Sequence, residues 1–297
     1  MKILIIGRNG QLASSIISKL KTSKNVISIG SKTKIFKGNL LRPKEVADSI
    51  IDINPEIIIN CSAYTDVNKA IYNKKKVEII NSKSLIEISK AANKINAKLI
   101  HFSTDYVYGN YREKLKEDFK NYPINFYGLS KFKGEKNIIK YCKKFLILRV
   151  SWLYSNKGKN FLKTILKKYS QGRNLDIVND QIGTPTSVEF ISENIDIIIN
   201  KISKNKNFNN WGVYNLSPKG YVSWHGFALK IISFFLKFQI IDKKKVKINP
   251  ISSHEIQHNE KRQSNSVMDN RKINKVFNIK IKHWEEVLKN YIIKNYE

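Results

Sequence analysis

Lys2-Ile3-Leu4-Ile5-Ile6-Gly7-Arg8-Asn9-Gly10-Gln11-Leu12-Ala13 opens the chain, and its reading decides the fold. The apolar run ending at Ile6 is too short for a helix and stops at a glycine, which is the pattern of a strand buried on both faces. Gly7 and Gly10 permit a tight turn and a close approach of backbone to phosphate. The small Ala13 stands third in the pattern, so that the following helix can pack closely on the strand. Phosphate would then sit at the N-terminus of that helix. A strand, a glycine turn and a helix in this order read as the dinucleotide-binding turn of a Rossmann unit.

Working outward, Val26 to Ile29 gives a second strand that ends in Gly30-Ser31-Lys32. An NAD site generally places Asp or Glu at this point to bind the ribose 2′-hydroxyl. A hydroxyl at Ser31 beside a cation suits a 2′-phosphate instead, so NADPH is the expected cofactor, with NADH use left open. A short strand at Ile35-Phe36 and a turn at Gly38-Asn39-Leu40 follow. A helix is then expected over 43–53, strands at 57–61, 98–102 and 145–150, and an amphipathic helix over 81–92. Alternating strands and helices point to an α/β fold, a Rossmann-type doubly wound parallel sheet over residues 1–150. Ligands of such sheets lie at the carboxyl ends of the strands, where Gly7, Ser62-Ala63-Tyr64-Thr65 and Ser103-Thr104-Asp105 all fall. Beyond 150 the alternation loosens, with helices over 161–168 and 189–202, a strand at 175–178 and a helix capped by Ser223 and running to Phe238. Residues 151–297 read as a smaller, interleaved C-terminal substrate domain, from which a strand near 212–216 returns to the main sheet.

Between these strands lies Asn125-Phe126-Tyr127-Gly128-Leu129-Ser130-Lys131. Residues four apart share a helix face with Cβ atoms about 5–6 Å apart. The Lys131 ammonium is therefore expected to lower the pKa of the Tyr127 phenol, fitting it to give or take a proton. Ser103 and Thr104 are candidate hydroxyl partners; adjacent strand residues point to opposite faces, so one of the two should face the cavity.

Composition narrows the classes further. The 297 residues, 41% of them apolar, supply a sizeable core, and two cysteines make no disulfide scaffold. The N-terminus lacks a signal-peptide pattern and no apolar run reaches membrane-spanning length, so a cytoplasmic protein without a membrane span is expected. A formal charge of +30 would attract polyanions. Its lysines, however, are spread over every segment without a basic stripe or a nucleic-acid-binding motif, and no specific nucleic-acid partner is expected. His254-Glu255-Ile256-Gln257-His258 matches the zinc-protease pattern H-E-x-x-H, yet it sits in loop composition rather than on a core helix. No metal site is expected there.

These motifs together resemble the extended short-chain dehydrogenase/reductases, and among them the dTDP-4-dehydrorhamnose reductases. The resemblance rests on Gly7 to Leu12, Asn60 to Ala70, Ser103 to Tyr108, Tyr127 to Lys131, Arg149 to Tyr154, Val178 to Thr186 and Gly212 to Ser217, in the family's order. It implies NADPH-dependent reduction of the C4 ketone of dTDP-4-dehydro-L-rhamnose to dTDP-L-rhamnose; a related epimerase or dehydratase, or a non-catalytic subunit, is the alternative. It further implies Tyr127 as proton donor, Lys131 as its partner and holder of the nicotinamide ribose, and Thr104 as the group polarising the carbonyl. Gly7, Asn9, Gly10, Gln11, Leu12, Ser31, Asn39, Leu40, Ala63 and Tyr64 would line the cofactor. Thr65, Val67, Thr104, Asp105 and Trp152 would meet the dTDP-sugar, while Arg149 would anchor its strand. Asn39 stands where the family commonly has Asp. Lys261-Arg262-Gln263-Ser264-Asn265-Ser266-Val267-Met268 departs from the implied Arg-Arg-Pro-x-Asn-Ser-x-Leu, the proline being absent. A homodimer is implied as one assembly. Some members hold magnesium through glutamates at the dimer contact, but Ser14 and Ser15 stand in that region, so magnesium is not expected.

Overall fold

The computed structural model describes residues 1–256 and 260–296. The first strand, β1 (Lys2–Ile6), leads through the glycine turn into helix α1 (Gln11–Leu20), and β2 (Asn25–Ile29) pairs with β1 in parallel. Helix α2 (Pro43–Ile53) starts with proline in its first turn and ends at Asn54, whose φ of 47° is left-handed, a combination that sets both ends of a helix. Strands β3 (Ile57–Asn60), β4 (Lys98–Thr104) and β5 (Phe145–Val150) follow. With the strand Gly212–Asn215 on the far edge, the sheet runs 212–215, β5, β4, β3, β1, β2, every pair parallel.

The alternation of β1 explains why the sheet is covered twice. Ile3 and Ile5 join the core formed with α1 and the helix Val188–Lys204, whereas Leu4 and Ile6 join the core formed with α2 and the helix Ser84–Lys94. All four are fully buried, each worth about 1.5–3 kcal/mol. Because β3 lies on the opposite side of β1 from β2, the order in which strands are added reverses at β1, and a crevice opens at the carboxyl ends of β1 and β3.

A further core gathers Leu162, Ile165, Phe227, Ile231, Trp284 and Leu288 from three helices, Phe161–Ser170, Trp224–Lys237 and Trp284–Tyr296. The rest of the C-terminal half packs on the sheet: Ile191, Ile195, Ile273 and Phe277 share the core of Ile3 and Ile5. No strand forms at Ile35-Phe36. Ile35 is 87% exposed, and Phe36 O lies 2.6 Å from the Thr33 hydroxyl, so the pair closes a local turn rather than a ladder. Among the described residues no helix is long and apolar enough to cross a membrane.

Candidate active site

A cleft of about 790 Å³ lies over the carboxyl ends of the sheet strands. Its walls bring together Gly7, Asn9, Gly10, Gln11, Leu12, Ser31, Asn39, Leu40 and Ala63 from the expected cofactor set. Thr65, Val67, Thr104, Asp105 and Trp152 from the substrate set border it too, with Tyr127 and Lys131 between. Tyr64 alone is not on the wall. Its backbone is clamped by the Asn81 side chain, which accepts from Tyr64 N at 2.8 Å and donates to Tyr64 O at 3.1 Å.

Tyr127 and Lys131 come from the helix Phe126–Tyr141, whose start is fixed by Asn125 accepting from Gly128 N at 2.8 Å. A Cβ on Gly134 would stand 2.1 Å from Asn81 O, so this helix lies against the Asn81 segment at a distance only glycine allows. Asn81 Nδ2 also donates to Ser130 Oγ at 3.0 Å. Behind Lys131, Glu135 accepts from Arg149 Nη2 at 2.6 Å and Nε at 3.0 Å, and the Arg149 guanidinium stacks over Tyr108 at 4.5 Å. Both ions are buried. Arg149 thus braces the wall from β5.

The electrostatics differ from the simple picture of an ammonium tuning a phenol. Burial pushes the Tyr127 phenol above its ordinary value, an effect the Thr104 hydroxyl partly offsets. Burial also pulls Lys131 down to about 8 against the opposing pull of Glu135. Lys131 Nζ is engaged on β4, 2.7 Å from Phe102 O and 3.1 Å from His101 Nε2. These two partners lie in the core and hold the side chain along the strand, and desolvation outweighs the charge of a neighbour one turn away.

Thr104 ends β4 and its hydroxyl donates to Asp105 Oδ1 at 3.0 Å, while its oxygen receives Tyr106 N at 3.3 Å. Ser103 borders the cleft as well, because the chain leaves the strand here for a turn at Asp105–Val107 and the cleft wraps the strand end. The two hydroxyls still differ, since Ser103 Oγ is buried without a hydrogen-bond partner. Asp105 is pushed up to about 6 by burial, against hydrogen bonds from Ser266, Thr104 and Gln263. Gln263 Nε2 reaches Asp105 Oδ2 at 2.8 Å from a segment 158 residues away. Trp152 has a left-handed φ of 47°, a costly conformation for a bulky residue, and its ring stacks on Trp224 with centroids 3.4 Å apart. Trp224 joins the cleft wall.

The cofactor end fits a phosphorylated dinucleotide. Gly7 has φ +100° and a Cβ there would meet Ser62 N at 3.0 Å. Gly10 caps α1 without a side chain, and the helix has no acid in its first turn, leaving its first N–H groups open to an anion. A neighbouring cavity of about 500 Å³ shares Asn9 and Gly30 with the cleft and adds Arg8 and Lys32. With Lys34, three cations and no carboxylate line it, which is the donor set of a 2′-phosphate.

The zinc-protease pattern takes no such shape. His254 and Glu255 lie in a short turn, where the Glu255 carboxylate accepts from Ser252 N at 2.7 Å in a capping box; His258 lies outside the described residues. Among the described residues no three His, Cys, Asp or Glu side chains are placed to hold a metal ion.

Sequence reading missed His101, Asn60, Trp224 and Gln263. His101 sits in an apolar strand pattern and reads as core, and Trp224 reads as a helix start. Only the three-dimensional neighbours give them a role.

The RmlD substrate binding domain family model matches residues 1–297. The dTDP-4-dehydrorhamnose reductase of Salmonella typhimurium is 31% identical over 290 residues, covering 96% of this chain and 95% of that protein. That of Escherichia coli K12 is 36% identical over 233 residues, covering 77% and 76%. The crystal structure of the Bacillus anthracis dTDP-4-dehydrorhamnose reductase in complex with NADP superimposes with a TM-score of 0.89, at 30% identity and 99% of each chain. The chain therefore belongs to the dTDP-4-dehydrorhamnose reductase family.

Proposed function

We propose that this protein reduces the C4 ketone of dTDP-4-dehydro-L-rhamnose to dTDP-L-rhamnose with NADPH. The observation that carries the reading is the single cleft in which Tyr127, Lys131 and Thr104 meet the Gly7–Leu12 turn. The cofactor, when bound, supplies a hydride to the ketone carbon. The open N–H groups of α1 would hold its pyrophosphate, with Arg8, Ser31 and Lys32 on the 2′-phosphate and Lys131 on the nicotinamide ribose.

The chain's own work is proton transfer and stabilisation of charge. As the carbonyl carbon gains a hydride its oxygen becomes an alkoxide, and the Tyr127 phenol gives it a proton. Burial pushes the phenol above its ordinary pKa, which keeps it protonated at neutral pH but makes it a weaker acid; the drive to donate comes from the more basic alkoxide. Once the proton has left, the phenolate is charged in a dry site, and a cationic Lys131 one helical turn away offsets that cost. Thr104 would lend its hydroxyl to the carbonyl oxygen, a contribution of about 10²–10³ for a well-placed donor. Thr65, Val67, Asp105 and Trp152 would shape the substrate side, the Trp152 ring offering a flat face to sugar or thymine.

Residues 1–150 are taken as the cofactor half and 151–297 as mainly the substrate half, and a homodimer without a bridging metal belongs to the same proposal. The test is to incubate purified protein with dTDP-4-dehydrorhamnose and follow NADPH and NADH absorbance separately. Stoichiometric NADPH oxidation with formation of dTDP-rhamnose is expected, and no oxidation of either cofactor would overturn the assignment.

A further inference from the structure

His101 is buried in β4, with its ring between Asn60 at the end of β3 and Lys131. The direction of each hydrogen bond in this row follows from one backbone group. Ser62 N–H can only donate, and its acceptor, 3.0 Å away, is Asn60 Oδ1. That contact orients the Asn60 amide, so its Nδ2, which can only donate, is what faces His101 Nδ1 at 3.1 Å. Nδ1 must then carry no proton. Burial holds the imidazole well below its usual pKa, so the ring is neutral and its proton sits on Nε2. Nε2–H in turn faces Lys131 Nζ at 3.1 Å. An ammonium has three N–H groups and no lone pair, and two donors make no hydrogen bond. A neutral amine satisfies every contact: its lone pair accepts from Nε2–H, and it donates to Phe102 O at 2.7 Å.

We propose that Asn60 and His101 are positioning residues that lock one ring tautomer and so seat Lys131 as a neutral amine in the cofactor-free protein, protonation releasing the amine from His101 toward the cleft. Gaining a proton removes the lone pair, and the ammonium then leaves Nε2–H or forces the ring proton onto Nδ1 against the Asn60 N–H. Either way one buried hydrogen bond breaks, which ties the charge of Lys131 to its position. Burial brings Lys131 down to about 8, still above neutral pH, and a hydrogen bond from Nε2–H to the amine lone pair favours the neutral form further. The other titratable groups around it are Tyr127 and Glu135 on its own helix, Asp105 and Tyr106 in the turn after β4, Cys61 after β3 and Lys76 in the helix Lys74–Glu78. Glu135, which favours the ammonium, is already paired with Arg149 of β5. The row thus keeps the cation in reserve until the anionic cofactor arrives. This deepens the reductase reading, and its kinetic half rests on it.

Asn60→Asp reverses the row. A carboxylate accepts from both Ser62 N–H and a ring Nδ1–H, leaving the Nε2 lone pair to hold an ammonium. Nitrogen-15 NMR of the cofactor-free protein reads the tautomer directly. The His101 ring is identified as the one lost in His101→Gln or, where that variant does not fold, as the ring that does not become imidazolium down to about pH 5. Wild type should show protonated Nε2 and bare Nδ1, and Asn60→Asp the reverse. A wild-type ring protonated on Nδ1, or on both nitrogens, overturns the lock, whether or not the variant folds. In steady-state reduction the basic limb of the kcat/KM profile of Asn60→Asp should move up by about one pH unit or more. A reversed tautomer with an unmoved limb would overturn the coupling to Lys131. Absence of ketone reduction in wild type would instead count against the reductase reading, and the ring shifts would still decide the lock.

Discussion

Tyr127 and Lys131 reach the cleft from one turn of one helix, whereas Asp105 and Trp152 reach it supported by Gln263 and Trp224, residues far away in the chain. On the first wall the spacing is set locally, by the Asn125 cap and the helical repeat, and buried ions and amides brace it from behind. On the second wall the contacts are long-range and the bracing side chains are uncharged. A wall of the first kind tolerates little change without loss of chemistry. One of the second kind can change partners, as where Gln263 stands in place of the proline that the resemblance implies, while leaving Tyr127 untouched. On the proposed residue roles, chemistry and substrate choice would thus be separable in this cleft.

The sharpest break in that comparison is Tyr127→Phe, which removes one oxygen from the first wall and leaves its packing. We expect kcat to fall by about 10²–10⁴, with the far-ultraviolet circular dichroism and the affinity for NADPH retained. Wild-type turnover in this variant would remove Tyr127 as the acid.

The next effect concerns the bracing of the same wall. Glu135→Gln leaves the Arg149 guanidinium buried without its carboxylate, and removal of one partner from a buried pair costs about 3–5 kcal/mol. The Tyr108 ring and Asn121 Oδ1, 3.3 Å from Arg149 Nη2, remain, so the loss should lie near the lower end of that range. Urea denaturation measures it as a lower midpoint at unchanged slope. An unaltered midpoint would mean that the pair is dispensable to this wall.

The same division governs what could be read from the residues alone. β1 and its turn, the helix over 43–53, β5 and the strand over 175–178 follow from local periodicity, capping and glycine placement, and the structure has them within a residue. The Ile35-Phe36 strand does not form, because two apolar residues carry too little periodicity to compete with a threonine-closed turn. At the site, most strand-end and short-motif residues that border the cleft could be picked out by position, whereas Asn60 at the end of β3 could not. Nor could His101, since strand alternation says only that it is inside; its value lies in Asn60 and Lys131, 41 and 30 residues away. Gln263 and Trp224 were hidden for the same reason.

The smallest expected effect lies on the second wall and is read as a slope. Asp105 has a folded pKa of about 6, raised from 3.8 by burial. The folded protein therefore holds a proton there that the unfolded chain has already lost between those values. The sign follows: the stability is fully present below about pH 4 and is lost as pH rises through about 6. Asn at this position cannot titrate. Between pH 4 and 7 the change in unfolding free energy of Asp105→Asn should thus differ from that of wild type by on the order of 2–3 kcal/mol, wild type losing more. Comparing each protein with itself at the two pH values removes the hydrogen bond that the amide forfeits to Thr104 or Gln263, which is nearly independent of pH. Parallel curves for the two proteins would mean that Thr104, Gln263 and Ser266 already offset the burial of the Asp105 carboxylate, making the second wall as fully braced as the first.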